Sequence, residues 1–212
     1  MRLWLAPHVF AVTIGPDIVV LDVLSDTYFC LADAALHLRL GADGAVDVEP
    51  AEAADDLLEA GLLQTAPPPP RAAAREIRQG RPSSPSPISP RAVGVALRAN
   101  LTAAKSIDQL PFADVLSLAG PLAETVFEAP TTELLREADR FARLAPWLPR
   151  EGLCLMRSLQ QRLYLTRLGH AAAWVFGVRT WPFKAHCWLQ AGDVVLDDTP
   201  EHVGTYTPIL VV

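Results

Sequence analysis

A thiol, an imidazole and a pair of carboxylates occur in an order that could perform nucleophilic catalysis. Cys154 lies at the predicted start of a helix, where unpaired backbone N–H groups and the helix dipole favour the thiolate form. His186 lies in a later predicted strand, which could present a base rigidly to that thiolate. The next predicted strand ends in Asp197-Asp198, and either carboxylate could orient the imidazole. The sequence therefore predicts that a cysteine attacks a carbonyl group with help from a histidine and an aspartate.

The residues around this thiol and imidazole resemble those of a known family. The matching stretches are residues 152–159 (GLCLMRSL), 177–179 (GVR) and 183–189 (FKAHCWL). Together they closely resemble the C-terminal protease domain of lasso-peptide B proteins, a bacterial branch of the transglutaminase-like cysteine peptidases. The resemblance implies that Cys154 is the nucleophile, that His186 transfers the protons and that a later aspartate orients the imidazole.

The orienting aspartate has two candidates. Asp198 stands at the spacing from His186 that the B proteins use, so the resemblance implies that it completes the triad. Asp197 is the alternative, because residues 197–200 (DDTP) also match the Asp-x-Thr-Pro of more general transglutaminase-like sheets. Side chains alternate along a strand, so only one of the two can face His186. By the same alternation, Cys187 should point away from the site and have a structural role.

Helices precede a sheet in the part of the chain that carries these residues. Apolar residues recur at helical spacing at 131–144, where Thr131 can cap the helix, and leucines recur in the same way after Gly152. Further helices are predicted at 91–105 and 111–118, and strands at 172–178, 184–190 and 194–196. A nucleophile on a helix, a base on a strand and an acid on the adjacent strand is the order that papain-like and transglutaminase-like folds use.

A separate α+β unit is predicted for residues 1–65. Strands are predicted at 8–14, 18–24 and 27–31, where β-branched residues are enriched between turns, and helices at 32–40 and 50–61. This segment resembles the precursor-recognition domains of peptide-modifying enzymes, which are winged-helix-like, with a three-stranded sheet packed on three helices.

In those recognition domains, the leader of a precursor peptide adds as a strand to the third strand and packs on the last helix. Main-chain hydrogen bonds then give affinity, and side-chain pockets choose the sequence. Carried over to this chain, the resemblance implies leader binding by Thr27, Tyr28, Phe29, Cys30, Leu31, Asp55, Leu57 and Leu58. The alternative for Tyr28, Phe29 and Leu57 is that they are ordinary core residues.

A stretch rich in proline and serine, 66–90, separates the two predicted units. It begins with four consecutive prolines at 67–70, and this composition favours an extended, semi-rigid chain. A short helix is predicted inside it at 72–78. We therefore predict a leader-recognition domain at 1–65, a linker at 66–90 and a transglutaminase-like peptidase domain at 91–212, which is the arrangement of fused B proteins.

The composition argues against several other functions. A net charge of −6 offers no basic surface to nucleic acid or to an anionic membrane, and no apolar run approaches the roughly 20 residues that span a membrane. Three cysteines and the lack of a signal-peptide core indicate free thiols in a cytoplasmic protein. The remaining histidines, His8, His37, His170 and His202, show no metal-binding spacing, so no metal site is predicted. The sequence has no glycine-rich phosphate loop, so we expect no cofactor in this chain.

The resulting hypothesis is a leader peptidase of lasso-peptide maturation, which binds the precursor peptide by its leader and cuts it from the core. The resemblance implies a second partner, an asparagine-synthetase-like lasso cyclase, and ATP is expected only through that partner. Two alternatives are a transglutaminase-like enzyme that transfers the acyl group to an amine, and a non-catalytic chaperone that binds the precursor.

Overall fold

The computed structural model describes residues 2–41, 43–83, 86–118, 120, 124–150 and 152–212. Residues 84 and 85 of the predicted linker lie outside these ranges. The described chain contains both helices and sheets, which confirms the predicted α+β class. None of its helices is long and apolar enough to cross a membrane.

Short strands dominate the N-terminal part. Its elements, in order, are β1 (Leu3–Leu5), β2 (Val9–Ile14), β3 (Asp17–Asp22), β4 (Thr27–Leu31), β5 (Leu38–Leu40), β6 (Ala45–Val48), α1 (Glu52–Glu59) and β7 (Leu63–Gln64). They form two sheets, with strand orders β2-β3-β4 and β5-β6-β1-β7. The resemblance implies three helices beside one sheet, whereas the described residues here form one α-helix and two sheets.

The antiparallel sheet β2-β3-β4 confirms the three predicted strands. Two residues connect β2 to β3, and the first, Gly15, has a φ of 59°, which a tight hairpin turn of this length requires. β4 pairs with β3 along its whole length, and its other edge pairs with no strand in the described part of the chain. β4 is therefore an edge strand with a free row of backbone groups.

The predicted helix at 32–40 is wrong. Asp33 has a φ of 55°, a single 3₁₀ turn covers Ala34–Leu36, and β5 follows. The leucines at 36, 38 and 40 fit a two-residue period as well as a helical one. Pairing of β5 with β6 selects the strand.

The C-terminal part has the predicted order of helices followed by a sheet. Its elements are β8 (Gln79–Gly80), α2 (Pro90–Gln109), α3 (Phe112–Ser117), α4 (Thr132–Leu144), α5 (Cys154–Arg167), β9 (Ala173–Arg179), β10 (Lys184–Ala191), β11 (Val194–Val195), α6 (Pro200–Val203) and β12 (Thr207–Val211). The strands form one sheet in the order β12-β9-β10-β11-β8. The predicted helices and strands at 91–118 and 131–196 are thereby confirmed, with shifts at their ends.

Helix α5 lies between helix α2 and strand β10. Leu159 and Leu165 of α5 are fully buried, and the buried face of α2 consists largely of alanines, which allow close packing. α5 is thus held rigidly against the strand that carries His186.

The predicted helix at 72–78 is also wrong, because these residues form neither a helix nor a strand. The N–H groups of Arg78 and Gln79 donate to the carbonyl of Asp193, and β8 pairs in parallel with β11. The Arg71 guanidinium donates to the carbonyls of Val9 and Ala6, at 2.7 and 2.8 Å. Hydrogen bonds to the two flanking parts of the chain therefore replace those of a local helix.

The sheet β2-β3-β4 is buried on both faces. Val19 and Leu21 pack in the large core formed with the C-terminal helices and sheet, whereas Ile18 and Val20 pack in the core of the N-terminal part. This two-sided burial explains the continuous apolar run of β3. The division of the chain into two domains and a linker stays a prediction.

Candidate active site

Cys154 is the first residue of helix α5. Its neighbour Leu153 occupies the N-cap position and offers no side-chain hydrogen bond, so the first N–H groups of the helix have no side-chain cap. A side chain at Gly152 would collide with Met156, which explains the glycine before the helix. The thiol thus lies where the helix dipole favours an anion.

Neighbouring side chains favour the thiolate strongly. Hydrogen bonding with the Cys187 side chain is the largest effect on the Cys154 thiol. Hydrogen bonding with His186 acts in the same direction, and burial opposes both. Together these interactions lower the pKa of Cys154 to about 4. At neutral pH the side chain is therefore a thiolate.

His186 connects the thiol to a carboxylate. Its Nε2 lies 2.6 Å from Oδ2 of Asp198, and its side chain is 13% exposed. Burial lowers the pKa of His186, but hydrogen bonds with Cys154 and Asp198 outweigh it and raise the pKa above its ordinary value. Cys154, His186 and Asp198 thus form a thiolate–imidazolium–carboxylate series.

Asp197 points elsewhere. Its Oδ2 accepts a hydrogen bond from Oγ of Ser158 at 2.5 Å, and its Oδ1 accepts one from the N–H of Leu189 at 2.8 Å. Burial raises the pKa of Asp197 to about 6. This carboxyl group ties α5 to β10, and of the two aspartates Asp198 is the one that contacts His186.

His202 is a site residue that the sequence reasoning missed. Its Nδ1 lies 2.8 Å from the same Oδ2 of Asp198, and its ring centroid is 4.7 Å from that of His186. The first turn of α6 places it there, since Thr199 caps this helix and accepts from the His202 N–H. The four-residue spacing from Asp198 to His202 was the available signal.

Asp198 is held by three donors. Burial raises its pKa, but hydrogen bonds from His202, the N–H of Thr199 and His186 outweigh this and keep the pKa below its ordinary value. The side-chain nitrogen and oxygen atoms of His186, Asp198 and His202 that could ligate a metal lie within 4.8 Å of one another. Among the described residues, this is the group that could bind a metal ion. In this structure, Nε2 of His186 and Nδ1 of His202 both hydrogen-bond to Oδ2 of Asp198.

The prediction that Cys187 points away from the site is wrong. The Cys187 side chain is buried at 3% exposure, and its pKa is raised first by the hydrogen bond with Cys154 and then by burial. Cys187 packs in the same core as Leu159 and Leu165 of α5, whereas the next residue, Trp188, packs in a different core. The residue thus faces α5, where Cys154 begins.

The predicted leader-binding residues of β4 fall into three groups. Thr27 and Cys30 are exposed, and Phe29 and Leu31 pack on the N-terminal core. Tyr28 packs on the opposite core, and its pKa is raised by burial and then by the charges of Cys187, Asp26 and Cys154. Of these strand residues, Tyr28 is the one that approaches the thiol.

The other predicted leader-binding residues lie on α1. Leu57 and Leu58 are partly buried against the N-terminal core, and Asp55 is exposed. Leu57 and Leu58 therefore have packing roles in this structure.

The loop between β9 and β10 contacts the N-terminal part. Nε1 of Trp181 donates to Oδ2 of Asp17 at 2.9 Å, and the ring of Phe183 lies 5.9 Å from the ring of Tyr28. Both loop residues retain exposed surface, 79% for Trp181 and 46% for Phe183. An aromatic surface thus connects β4 to the strand of His186.

Comparison with protein families gives one finding. A family model described as the transglutaminase-like superfamily matches residues 95–211, more than half of the chain. The match includes Cys154, His186 and Asp198. Comparisons with curated proteins and with solved structures give no significant match.

Proposed function

The chain belongs to the transglutaminase-like superfamily, and from this premise we propose that it is a cysteine peptidase. The observation that carries the proposal is the series from the Cys154 thiol through His186 to Asp198, with a pKa of about 4 at the thiol and a raised pKa at the imidazole. A thiolate beside an imidazolium supplies both a nucleophile and a proton donor at neutral pH.

The proposed reaction proceeds through an acyl-enzyme. The Cys154 thiolate attacks the scissile carbonyl, and the backbone N–H of Cys154 stabilises the oxyanion. His186 donates its proton to the leaving amine as the C–N bond breaks, which leaves a thioester. His186 then takes a proton from water, hydroxide attacks the thioester, and the thiolate is released. Asp198 holds the imidazole in the required orientation throughout.

We further propose that the substrate is the precursor of a lasso peptide, bound by its leader. The resemblance of the motif at 152–159 supports this assignment, as does the free outer edge of β4, which can accept an added strand. Tyr28 of β4 packs against the same core as Cys154, so one face of this strand lies on the side of the sheet that carries the nucleophile.

A division of labour with a partner follows from this assignment. Joining the freed amine of the core to an acidic side chain requires an activated carboxylate. We assign that step to the asparagine-synthetase-like cyclase, which would use the ATP.

The test is incubation of the full-length protein with its precursor peptide, with and without the cyclase, followed by mass spectrometry. Wild-type protein should release the leader, Cys154→Ala should not, and His170→Ala, which alters a histidine outside the site, should behave as wild type. Release of the leader by Cys154→Ala would show that another residue is the nucleophile.

Acyl transfer is the second candidate, because the superfamily includes acyltransferases as well as peptidases. Carrying out the reaction in ¹⁸O-labelled water with an added primary amine separates the two. Hydrolysis places ¹⁸O in the new leader carboxylate, whereas acyl transfer gives a leader amide without label. A non-catalytic chaperone would give neither product, and its Cys154 thiol would titrate near the ordinary value of about 8.5.

A further inference from the structure

A cavity of about 600 Å³ borders the catalytic carboxylate. Its wall contains Gly152, two residues before the nucleophile, together with Asp198 and Thr199. Phe141 and Pro146 add apolar surface to the wall. The cavity is therefore close enough to Cys154 to receive part of a peptide that is being cut.

Three arginines line this cavity: Arg81, Arg150 and Arg157. Arg150 forms a surface ion pair with Asp108 at 3.1 Å. Arg157 is exposed and has no hydrogen-bond partner for its guanidinium among the described residues. The cavity thus contains cationic groups whose hydrogen-bonding capacity is not fully used.

Arg81 gives the sharper evidence. Its side chain is 21% exposed, and its Nε and Nη1 atoms are buried without a hydrogen-bond partner in the described part of the chain. Arg81 forms an ion pair with Asp139, but the 3.6 Å between Nη1 and Oδ1 is beyond hydrogen-bond distance, and Asp139 also accepts from Arg143. Buried donors without acceptors are costly, so an acceptor from a ligand would stabilise this guanidinium.

The acidic residues of the cavity wall are already hydrogen-bonded to other groups. Both oxygens of Asp197 accept from Ser158 and the Leu189 backbone. Both oxygens of Asp198 accept from the Thr199 backbone and the two imidazoles. Among the described residues, the unpaired donors of Arg81 and Arg157 thus remain for an anionic ligand.

We propose that this cavity is a binding subsite for a carboxylate group of the peptide substrate, held by Arg81 and Arg157. Guanidinium groups suit carboxylates because they present paired N–H donors in one plane. The carboxylate can come from an acidic side chain or from a chain terminus. Its assignment to a substrate rests on the proposed peptidase function, whereas the anion site itself does not.

Three small probes test the site without any cleavage. N-acetylglutamic acid amide carries only a side-chain carboxylate, N-acetylglutamine carries only a terminal carboxylate, and N-acetylglutamine amide carries neither. Each is titrated into the ¹⁵N-labelled full-length protein while the Arg side-chain Nε–H signals are followed by NMR. At least one of the two acids should bind about tenfold more tightly than the uncharged N-acetylglutamine amide and shift the Arg81 Nε–H signal. The reason is that charged hydrogen bonds are about twice as strong as neutral ones.

Matched variants locate the effect. Arg157→Gln and Arg81→Gln should each reduce the preference for the acid, whereas Arg136→Gln, on the exposed part of α4, should keep it. Arg157 is exposed, so its variant tests the site even where Arg81→Gln fails to fold. The proposal is overturned if the acids and N-acetylglutamine amide bind equally, if neither acid binds saturably, or if Arg157→Gln keeps the preference for the acid. A failure of the precursor cleavage assay would refute the peptidase function and leave the probe result intact.

Discussion

The two adjacent aspartates give the sharpest prediction, because of the isosteric variants Asp197→Asn and Asp198→Asn only the second should lower kcat strongly. In Asp198→Asn, the amide oxygen can still accept from the Thr199 N–H, which places the NH₂ group where Oδ2 now accepts from His186 and His202. That NH₂ group cannot accept a hydrogen bond, so the imidazolium loses its partner.

The size of the effect follows from this lost hydrogen bond. A hydrogen bond to a charged group contributes about 1.5–3 kcal/mol, and about 1.4 kcal/mol is a factor of ten, so kcat should fall about 10- to 150-fold. Because Asp198 raises the pKa of His186, its removal should also shift the alkaline limb of the pH–rate profile to lower pH. In Asp197→Asn, the amide can still accept from Leu189 and can donate to Ser158, so kcat should change little.

The assay is steady-state cleavage of the precursor peptide across a range of pH, with melting temperatures as the control for folding. If Asp197→Asn lost as much kcat as Asp198→Asn while melting at the wild-type temperature, the assignment of the orienting carboxylate would be refuted.

Other expected outcomes concern the remaining site residues. The rate of Cys154 alkylation by iodoacetamide should rise with pH, with a midpoint near pH 4. His186→Ala should move that midpoint to higher pH, because the wild-type hydrogen bond with His186 lowers the thiol pKa. A wild-type midpoint near 8.5 would contradict this. Activity should rise with pH as the thiolate forms and fall as His186 loses its proton, above its ordinary pKa of 6.5. His202→Leu should lower kcat about 2- to 12-fold, the value of one ordinary hydrogen bond, and His202→Asn, which can donate in place of Nδ1, should restore it; equal losses in both would mean that His202 does not act through its donor. Ser158→Ala should destabilise the fold by about 1–3 kcal/mol in chemical denaturation, because it leaves the Asp197 carboxylate without its donor, and an unchanged unfolding midpoint would refute that role.

Leader recognition by strand addition makes a separate prediction about the peptide. Single N-methyl groups placed along the leader should weaken binding to full-length Cys154→Ala with a two-residue period, because alternate N–H groups of an added strand face β4. Fluorescence polarisation of a labelled leader measures this, and equal affinity for every methylated peptide would exclude pairing with β4.

Local sequence was sufficient for elements whose pattern had one interpretation. The strands of the hairpin β2-β3 and helix α5 could be predicted from residue type, from the spacing of apolar residues and from the turn residues that bound these elements. Local sequence was insufficient at 32–40, where the composition permits a helix and pairing of β5 with β6 selects a strand. It was also insufficient at 72–78, where hydrogen bonds to Gln190 and Asp193 replace those of a helix. The spacing of apolar residues within a segment does not show which distant part of the chain will form hydrogen bonds with it.

The sequence by itself determined that Cys154 begins a helix and that His186 lies in a later strand, because both depend on local propensity and on a contiguous motif. Only the tertiary structure decided that Asp198 contacts the imidazole, that Cys187 lies beside the thiol, and that Arg81 from the linker reaches the cavity. These contacts depend on how α5, β10 and the predicted linker pack against one another. Packing brings together residues that are far apart in the chain, and no local spacing fixes those distances.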